Sequence, residues 1–166
     1  MTSSAPCDVV LRPATPADVP EILRCIRGLA EYERLLDKCM ATEALLHETL
    51  FGAEPAAEVT LAVHGSMTAG FALWFRSYST FLARPGIYLE DLFVFPEFRG
   101  QRIGRQLLEH LAVIAVSRGY GRLEWEVLDW NADAIRFYES LGATPMSEWT
   151  RYRLTGSALR EVAGVQ

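Results

Sequence analysis

Two acidic side chains stand inside an otherwise apolar run, and they are the first residues at which the sequence indicates chemistry. Glu90 and Asp91 interrupt residues 87–95, and all the other residues of this run are apolar or aromatic. Burying a carboxylate is costly unless it is paired or used, so we expect this pair to hold a cation or to accept a proton. Glu31 and Glu33 lie at the end of a predicted helix, where a solvated helix end explains them as well as a binding role does.

The segment that follows this run suits an anion. Its sequence is Arg99-Gly100-Gln101-Arg102-Ile103-Gly104, between a predicted strand and a predicted helix. Backbone N–H groups in such a turn, together with the positive end of the helix dipole, hold a pyrophosphate without a catalytic side chain. On spacing alone, a tight turn without a ligand explains the two glycines equally well. The segment is neither a Walker loop nor a dinucleotide fingerprint, because it lacks the Gly-Lys-Ser/Thr ending and the Gly-x-Gly-x-x-Gly spacing.

Periodicity and capping residues predict the elements that must position these groups. Thr15 followed by Pro16, Thr42 and Asn131 each predict the start of a helix, and Gly142 predicts the end of the last one. The predicted strands cover residues 9–12, 59–63, 69–77, 87–95, 122–128 and 149–154, and the longest predicted helix covers residues 100–118. The resulting order, β-α-α-β-β-β-α-β-α-β, predicts one α/β domain over residues 1–166, with its ligand at the glycine-bearing turn.

Composition argues against several classes of function. The net charge is -5, which disfavours general nucleic-acid binding and mildly favours a cationic partner. No apolar run approaches the roughly 20 residues of a membrane span, and residues 1–8 lack the pattern of a signal peptide, so we expect a cytoplasmic protein that does not bind membranes. The three cysteines, including Cys7, and the three histidines have no metal-ligand spacing, and no metal site is predicted.

Four segments together resemble one known superfamily. Residues 130–143 resemble the Asn-x-x-Ala-x-x-Phe-Tyr-x-x-x-Gly-Ala segment of the GNAT acetyltransferases. Residues 99–104 resemble their acyl-coenzyme A motif, Gln/Arg-x-x-Gly-x-Gly/Ala, with Arg102 where the middle glycine is usual. Residues 88–94 and 29–33 are similar to the Tyr-Leu-Glu-Asp-x-Phe-Val and Leu-Ala-x-Tyr-Glu segments of the diamine (spermidine/spermine-type) branch. The similarity covers about residues 11–154.

The resemblance implies a GNAT fold, with a mixed, mostly antiparallel central sheet flanked by helices, and it implies the role of each matching residue. It implies that acetyl-CoA, the co-substrate, binds Leu92, Phe93, Val94, Arg99, Gly100, Gln101, Arg102, Ile103, Gly104, Arg105, Asn131, Ala132, Asp133 and Ala134. It implies that the amine meets Tyr32, Glu33, Glu90, Asp91, Glu124, Trp125 and Glu126. Tyr138 is then the general acid for the departing thiolate, and Glu90 is a catalytic residue that accepts a proton through water.

The implied activity is direct transfer of an acetyl group, in a ternary complex, to a primary amine of a small polycationic molecule, either a polyamine or a lysine-like amine. An ordinary carboxylate lies about six pKa units below an alkylammonium, so an unassisted proton transfer is uphill by roughly 8 kcal/mol. The acidic residues are therefore assigned first to recognition. A homodimer is also implied. Another amine (an amino acid, an aminoglycoside or a protein lysine) and a non-catalytic acyl-CoA sensor remain the alternatives.

Overall fold

The computed structural model describes residues 9–165, so Cys7 lies outside the described residues. They form two compact units, one ending at Glu126 and the other beginning at Val127. The first unit contains β1 (Val9–Pro13), α1 (Val19–Tyr32), α2 (Glu43–Phe51), β2 (Glu58–His64), β3 (Met67–Ser79), β4 (Arg84–Val94), α3 (Ile103–Ser117) and β5 (Leu123–Trp125). The second contains α4 (Ala132–Glu139) and α5 (Gly156–Ala163). The single domain over the whole chain stays a prediction.

One five-stranded sheet organises the first unit, in the order β1-β2-β3-β4-β5. The first four strands pair antiparallel, and β5 pairs parallel to β4. A parallel neighbour needs a crossover connection, and α3 supplies it between β4 and β5. The mixed, mostly antiparallel sheet of the sequence prediction is confirmed.

Alternation along the end of β4 places α1 and α3 on opposite faces of the sheet. Phe93 and Phe95 face α1, where a Cβ added to Gly28 would lie 2.8 Å from the Phe93 ring. Val94 faces α3, and its Cγ2 is 3.9 Å from the position of a Cβ added to Gly104. Successive side chains of a strand point to opposite faces, so each residue of this segment belongs to one layer of the fold.

Local signals at the helix starts are confirmed. Thr15 and Asp18 form a capping box around a short 3₁₀ turn that leads into α1. The hydroxyl of Thr42 accepts a hydrogen bond from the Leu45 N–H at the start of α2. The side chain of Asn131 does the same for the Ala134 N–H at the start of α4. Each cap satisfies a backbone donor that has no partner inside its helix.

The largest differences from the predicted elements are two boundaries and one absent strand. Helix α3 begins at Ile103 rather than at residue 100, because Gly100 and Arg102 adopt left-handed backbone angles. The predicted strand over residues 122–128 shortens to β5, Leu123–Trp125. Residues 149–154 form no strand, since the described part of the second unit offers no neighbouring strand for their backbone groups. The sequence reading also missed helix α5.

Within residues 9–165, no helix has both the length and the apolar composition needed to cross a membrane.

Candidate active site

A β-bulge re-aims the acidic end of β4. Leu89 pairs with Trp74 and Asp91 pairs with Leu73, so Glu90 is an extra residue that has no pairing partner on β3. A bulge bends the strand and changes the direction of its side chains. Glu90 is exposed, whereas the Asp91 side chain is half-buried. The two adjacent carboxylates therefore have different environments.

The outer edge of β4 opens directly after the bulge. Pairing with β5 ends at Leu89 and Trp125. Leu92, Phe93 and Val94 continue to pair with β3 on one side, and on the other side no described residue of the first unit forms a strand beside them. The Val94 carbonyl accepts a hydrogen bond from Arg99, and the other backbone groups on that side are available to an extended ligand, which would add to the sheet as a further strand does.

The loop after β4 presents a set of backbone donors. Phe98 is buried and anchors the loop, and Gly100 and Arg102 then adopt φ values of 78° and 62°. The first helical hydrogen bond runs from the Gln106 N–H to the Arg102 carbonyl, at 3.0 Å. Within residues 9–165, the N–H groups of residues 100–105 donate to no protein acceptor. Together with the dipole of a 15-residue helix, they form a site that suits phosphate.

Residue 102 has a left-handed backbone angle, which explains why the family motif usually has glycine at this position. Glycine adopts a positive φ without the steric cost that other residues incur. Arg102 adopts a positive φ nevertheless, and it is exposed. The departure from the motif therefore leaves the backbone path of the loop intact.

Arg99 was predicted to contact the coenzyme, and its side chain is engaged by the protein. Its Nε donates to the Val94 carbonyl at 3.0 Å. The guanidinium carbon lies 4.9 Å from the centre of the Tyr32 ring and 5.8 Å from that of Phe93. Arg99 thus connects the end of α1, the end of β4 and the loop.

Three of the predicted amine-facing carboxylates form one electrostatic cluster, which we call the acidic trio: Glu33, Glu90 and Asp91. Burial, together with the nearby charges of Glu90 and Glu33, raises the pKa of Asp91 to about 7. Burial also raises the pKa of Glu33, which caps the end of α1. Within the described residues, no cation pairs with any of the three. Among residues 9–165, the trio is therefore an anionic site without a counter-ion.

The predicted residues on β5 lie in a different setting. Glu124 pairs with Arg122 at 2.6 Å, so its charge already has a partner. Trp125 is half-buried opposite Leu89, and Glu126 is exposed just beyond the strand. Sequence reasoning missed the Arg122 partner, although the alternation of residues 122 and 124 on one strand face was a signal for it.

The second unit holds the predicted Tyr138. It lies on α4, half-buried, with its ring 5.3 Å from that of Phe137. Its carbonyl accepts hydrogen bonds from the N–H groups of Leu141 and Ala143, in the turn at Gly142 that follows the end of the helix at Glu139. Ala132, Asp133 and Ala134 form the first turn of the same helix after the Asn131 cap, and Asp133 pairs with Arg136.

No group of three or more His, Cys, Asp or Glu side chains among residues 9–165 has the arrangement of a metal site.

Cys25 is buried, and its burial raises the pKa of the thiol to about 12, which keeps it protonated and a poor nucleophile.

Known proteins are similar to this chain over most of its length. The model of the acetyltransferase (GNAT) family matches residues 26–143. The thialysine N-epsilon-acetyltransferase of Bos taurus is 41% identical, over 94% of this chain and 98% of that protein. The spermidine/spermine N(1)-acetyltransferase-like protein 1 of Homo sapiens is 32% identical, over 92% of this chain and 23% of that protein. An integron cassette protein from the mobile metagenome of V. cholerae has a solved structure with a TM-score of 0.79 and 30% identity, covering 93% of this chain and 97% of that one.

Proposed function

The chain belongs to the acetyltransferase (GNAT) family and is an N-acetyltransferase, and from that premise we propose that it acetylates a primary amine of a small molecule that carries a second positive charge. The observation behind this choice is the acidic trio, which has no counter-ion in the part of the chain that the structure describes. One ammonium group neutralises only part of three carboxylates, so a second positive centre gains a further charge-assisted contact. Two relatives' names support the same class of amine: the bovine one is a thialysine N-epsilon-acetyltransferase, and the human one is a spermidine/spermine N(1)-acetyltransferase-like protein.

Acetyl-CoA is the family's co-substrate, and the residues of the loop fit its phosphates. The N–H groups of residues 100–105 would hold the pyrophosphate, with little contribution from side chains. The open side of Leu92, Phe93 and Val94 would take the pantetheine arm and direct an N–H at the acetyl carbonyl. Asn131, Ala132, Asp133 and Ala134 keep their role as coenzyme contacts by similarity to the family motif.

We assign the proton of the incoming amine to Asp91, with Glu90 in the supporting role. An alkylammonium has an ordinary pKa near 10.4, so transfer to a carboxyl group with a pKa of about 7 is uphill by about 5 kcal/mol rather than roughly 8. Burial, with the charges of Glu90 and Glu33, maintains that raised pKa, and the two glutamates also attract the substrate. The resulting neutral amine attacks the thioester carbonyl, and the bond to sulfur breaks as coenzyme A leaves.

Tyr138 is proposed as the acid that protonates the leaving thiolate. A phenol with an ordinary pKa near 10 is close enough to a thiol near 8.5 for this transfer to be only mildly uphill. The role rests on the match of residues 131–143 to the family motif.

We further propose a cytoplasmic homodimer. Residues 149–154, which were predicted as a strand, carry exposed apolar side chains, with Trp149 exposed by 73% and Tyr152 by 90%. A second copy is a suitable cover for such residues. Light scattering at micromolar concentration should give twice the 18.6 kDa chain mass, and cell fractionation should place the protein in the cytosol. A monomer mass would contradict the dimer.

The substrate class is tested by measuring free-thiol release with a matched series of mono-, di- and polyamines and lysine-like amines. Each well-placed additional charge should raise kcat/KM by about 10- to 150-fold, and added salt should reduce the preference. Glu33→Gln should lose this selectivity more than it loses kcat. Glu31→Gln, an exposed glutamate two residues earlier, is the matched control and should keep it. Equal kcat/KM across the series in the wild type would sink the second-charge proposal and leave the acetyltransferase assignment in place.

A further inference from the structure

The side chain of Arg99 turns away from the loop in which it lies. Its Nε donates to the Val94 carbonyl at 3.0 Å, and its guanidinium stands 4.9 Å from the centre of the Tyr32 ring. Tyr32 is the last residue of α1, and Glu33 of the acidic trio follows it directly. One side chain therefore joins the amine-facing end of α1 to the first residue of the phosphate loop.

We propose that Arg99 is a positioning residue, a clamp that fixes the phosphate loop against Tyr32, and that Tyr32 therefore controls the affinity for acetyl-CoA without touching it. The inference rests on the proposed use of residues 100–105 as the pyrophosphate site. It assigns to the arginine side chain a role different from that of a phosphate ligand. It also links the acetyl-CoA loop and the amine-facing residues through one contact.

Arginine chemistry suits such a clamp. The guanidinium is planar, so a hydrogen bond from Nε to a carbonyl also fixes the orientation of the plane that covers an aromatic ring. A lysine ammonium can approach either the carbonyl or the ring, but it has no fixed plane with which to satisfy both. The second aromatic ring, that of Phe93 at 5.8 Å, extends the same cation–π surface.

The position of the clamp explains why it matters for binding. Arg99 stands between Phe98, which is buried, and Gly100, the first of the two left-handed residues. A loop whose N–H groups converge on a ligand binds more tightly when its path is fixed before the ligand arrives. Removing the clamp frees the start of the loop while the anchor at Phe98 and the helix α3 remain.

The experiment measures the Kd of acetyl-CoA by titration calorimetry at constant salt, with the full chain, at a temperature at which every variant is folded. The variants are Arg99→Gln, Arg99→Lys, Tyr32→Leu, Tyr32→Phe, the double variant Arg99→Gln with Tyr32→Leu, and the control Arg76→Gln. Arg76 is an exposed arginine on β3 away from the loop.

The clamp predicts a specific pattern of affinities. Arg99→Gln, Arg99→Lys and Tyr32→Leu should each raise the Kd by about 3- to 10-fold, as expected for a lost cation–π contact with its hydrogen bond. The Kd of the double variant should not exceed the larger of the two single-variant Kd values, because both substitutions break the same contact. Tyr32→Phe keeps the ring and should bind like the wild type, as should Arg76→Gln. If Arg99 were merely structural, its substitution would lower the Tm, and its effect on the Kd would be the same whether or not Tyr32 was also substituted.

Other patterns overturn the proposal. A Kd that rises only with Arg99→Gln, with Arg99→Lys near wild type and Tyr32→Leu unchanged, would make Arg99 a phosphate ligand. Unchanged affinities in all variants would make the contact irrelevant to binding. If the wild type bound no acetyl-CoA, the proposed function would fall separately, and the contact would be judged by thermal unfolding of the same double-mutant cycle. Strictly additive Tm changes there would overturn the clamp.

Discussion

The Asp91 carboxyl should make the stability of the protein depend on pH, and Asp91→Asn is the perturbation that isolates it. The raised folded-state pKa, about 7, means that the folded protein disfavours the carboxylate. In the unfolded chain the same group titrates near 3.9. The wild type therefore loses stability from this group as the pH rises from about 4 through about 7, because the unfolded chain releases the proton first.

The magnitude follows from the two pKa values. A difference of about three units corresponds to at most about 4 kcal/mol at high pH, since one unit is worth 1.36 kcal/mol. About a third of this penalty is already present at pH 5, so about 2–3 kcal/mol should develop between pH 5 and pH 8. For a chain of 166 residues, that corresponds to a Tm change of roughly 5–10 °C.

The assay is thermal unfolding of the wild type and Asp91→Asn from pH 5 to pH 8, compared as a difference so that all other titrating groups cancel. The Tm of Asp91→Asn relative to the wild type should rise across this range. Asp37→Asn, at an exposed position, is the control and should show a constant difference. Glu90→Gln removes one of the charges that raise the pKa of Asp91, and it should shift the transition to lower pH. A Tm difference for Asp91→Asn that does not change with pH would refute the argument that this carboxyl is desolvated and faces other charges.

The remaining predictions concern binding, catalysis and packing. Acetyl-CoA at a hundred times its Kd should stabilise the folded protein by about 2.7 kcal/mol, which differential scanning calorimetry detects, and adenine nucleotides without pantetheine should do less. Tyr138→Phe should leave the acetyl-CoA Kd nearly unchanged and lower kcat by about 10²- to 10⁴-fold; full kcat, with chemistry shown to limit the rate, would place the acid elsewhere. Gly28→Ala places a Cβ 2.8 Å from the Phe93 ring and should cost about 1–3 kcal/mol in urea unfolding, whereas no loss would mean that the ring moves aside freely. Arg102→Gly should raise stability by about 0.5–1 kcal/mol, because relief of the left-handed strain exceeds the added entropy of the unfolded glycine; destabilisation would show that the Arg102 side chain makes a contact that outweighs this strain.

Much of the fold could be read from neighbouring residues alone. The caps at Thr15, Thr42 and Asn131 were found because a polar side chain next to a helix start satisfies donors within three residues of itself. Strands β2 and β3 were predicted, over residues 59–63 and 69–77, because runs of β-branched and aromatic residues are local patterns as well. The strand predicted at residues 149–154 failed for the opposite reason, since a strand exists only when another segment pairs with it.

The site divides in the same way. The residue types of the site are visible in the chain before folding: two carboxylates in an apolar strand, a glycine-bearing loop before a helix, and a motif that matches an acetyltransferase family. Three further features follow from folding: Glu90 is the bulged residue, Asp91 rather than Glu90 is the partly buried carboxyl, and Arg99 turns back onto Tyr32. These outcomes depend on the register of β4 against β3 and on the packing of α1 across the sheet. Partners that lie tens of residues away in the chain set both the desolvation of a carboxylate and the direction of an arginine side chain, and no local pattern contains that information.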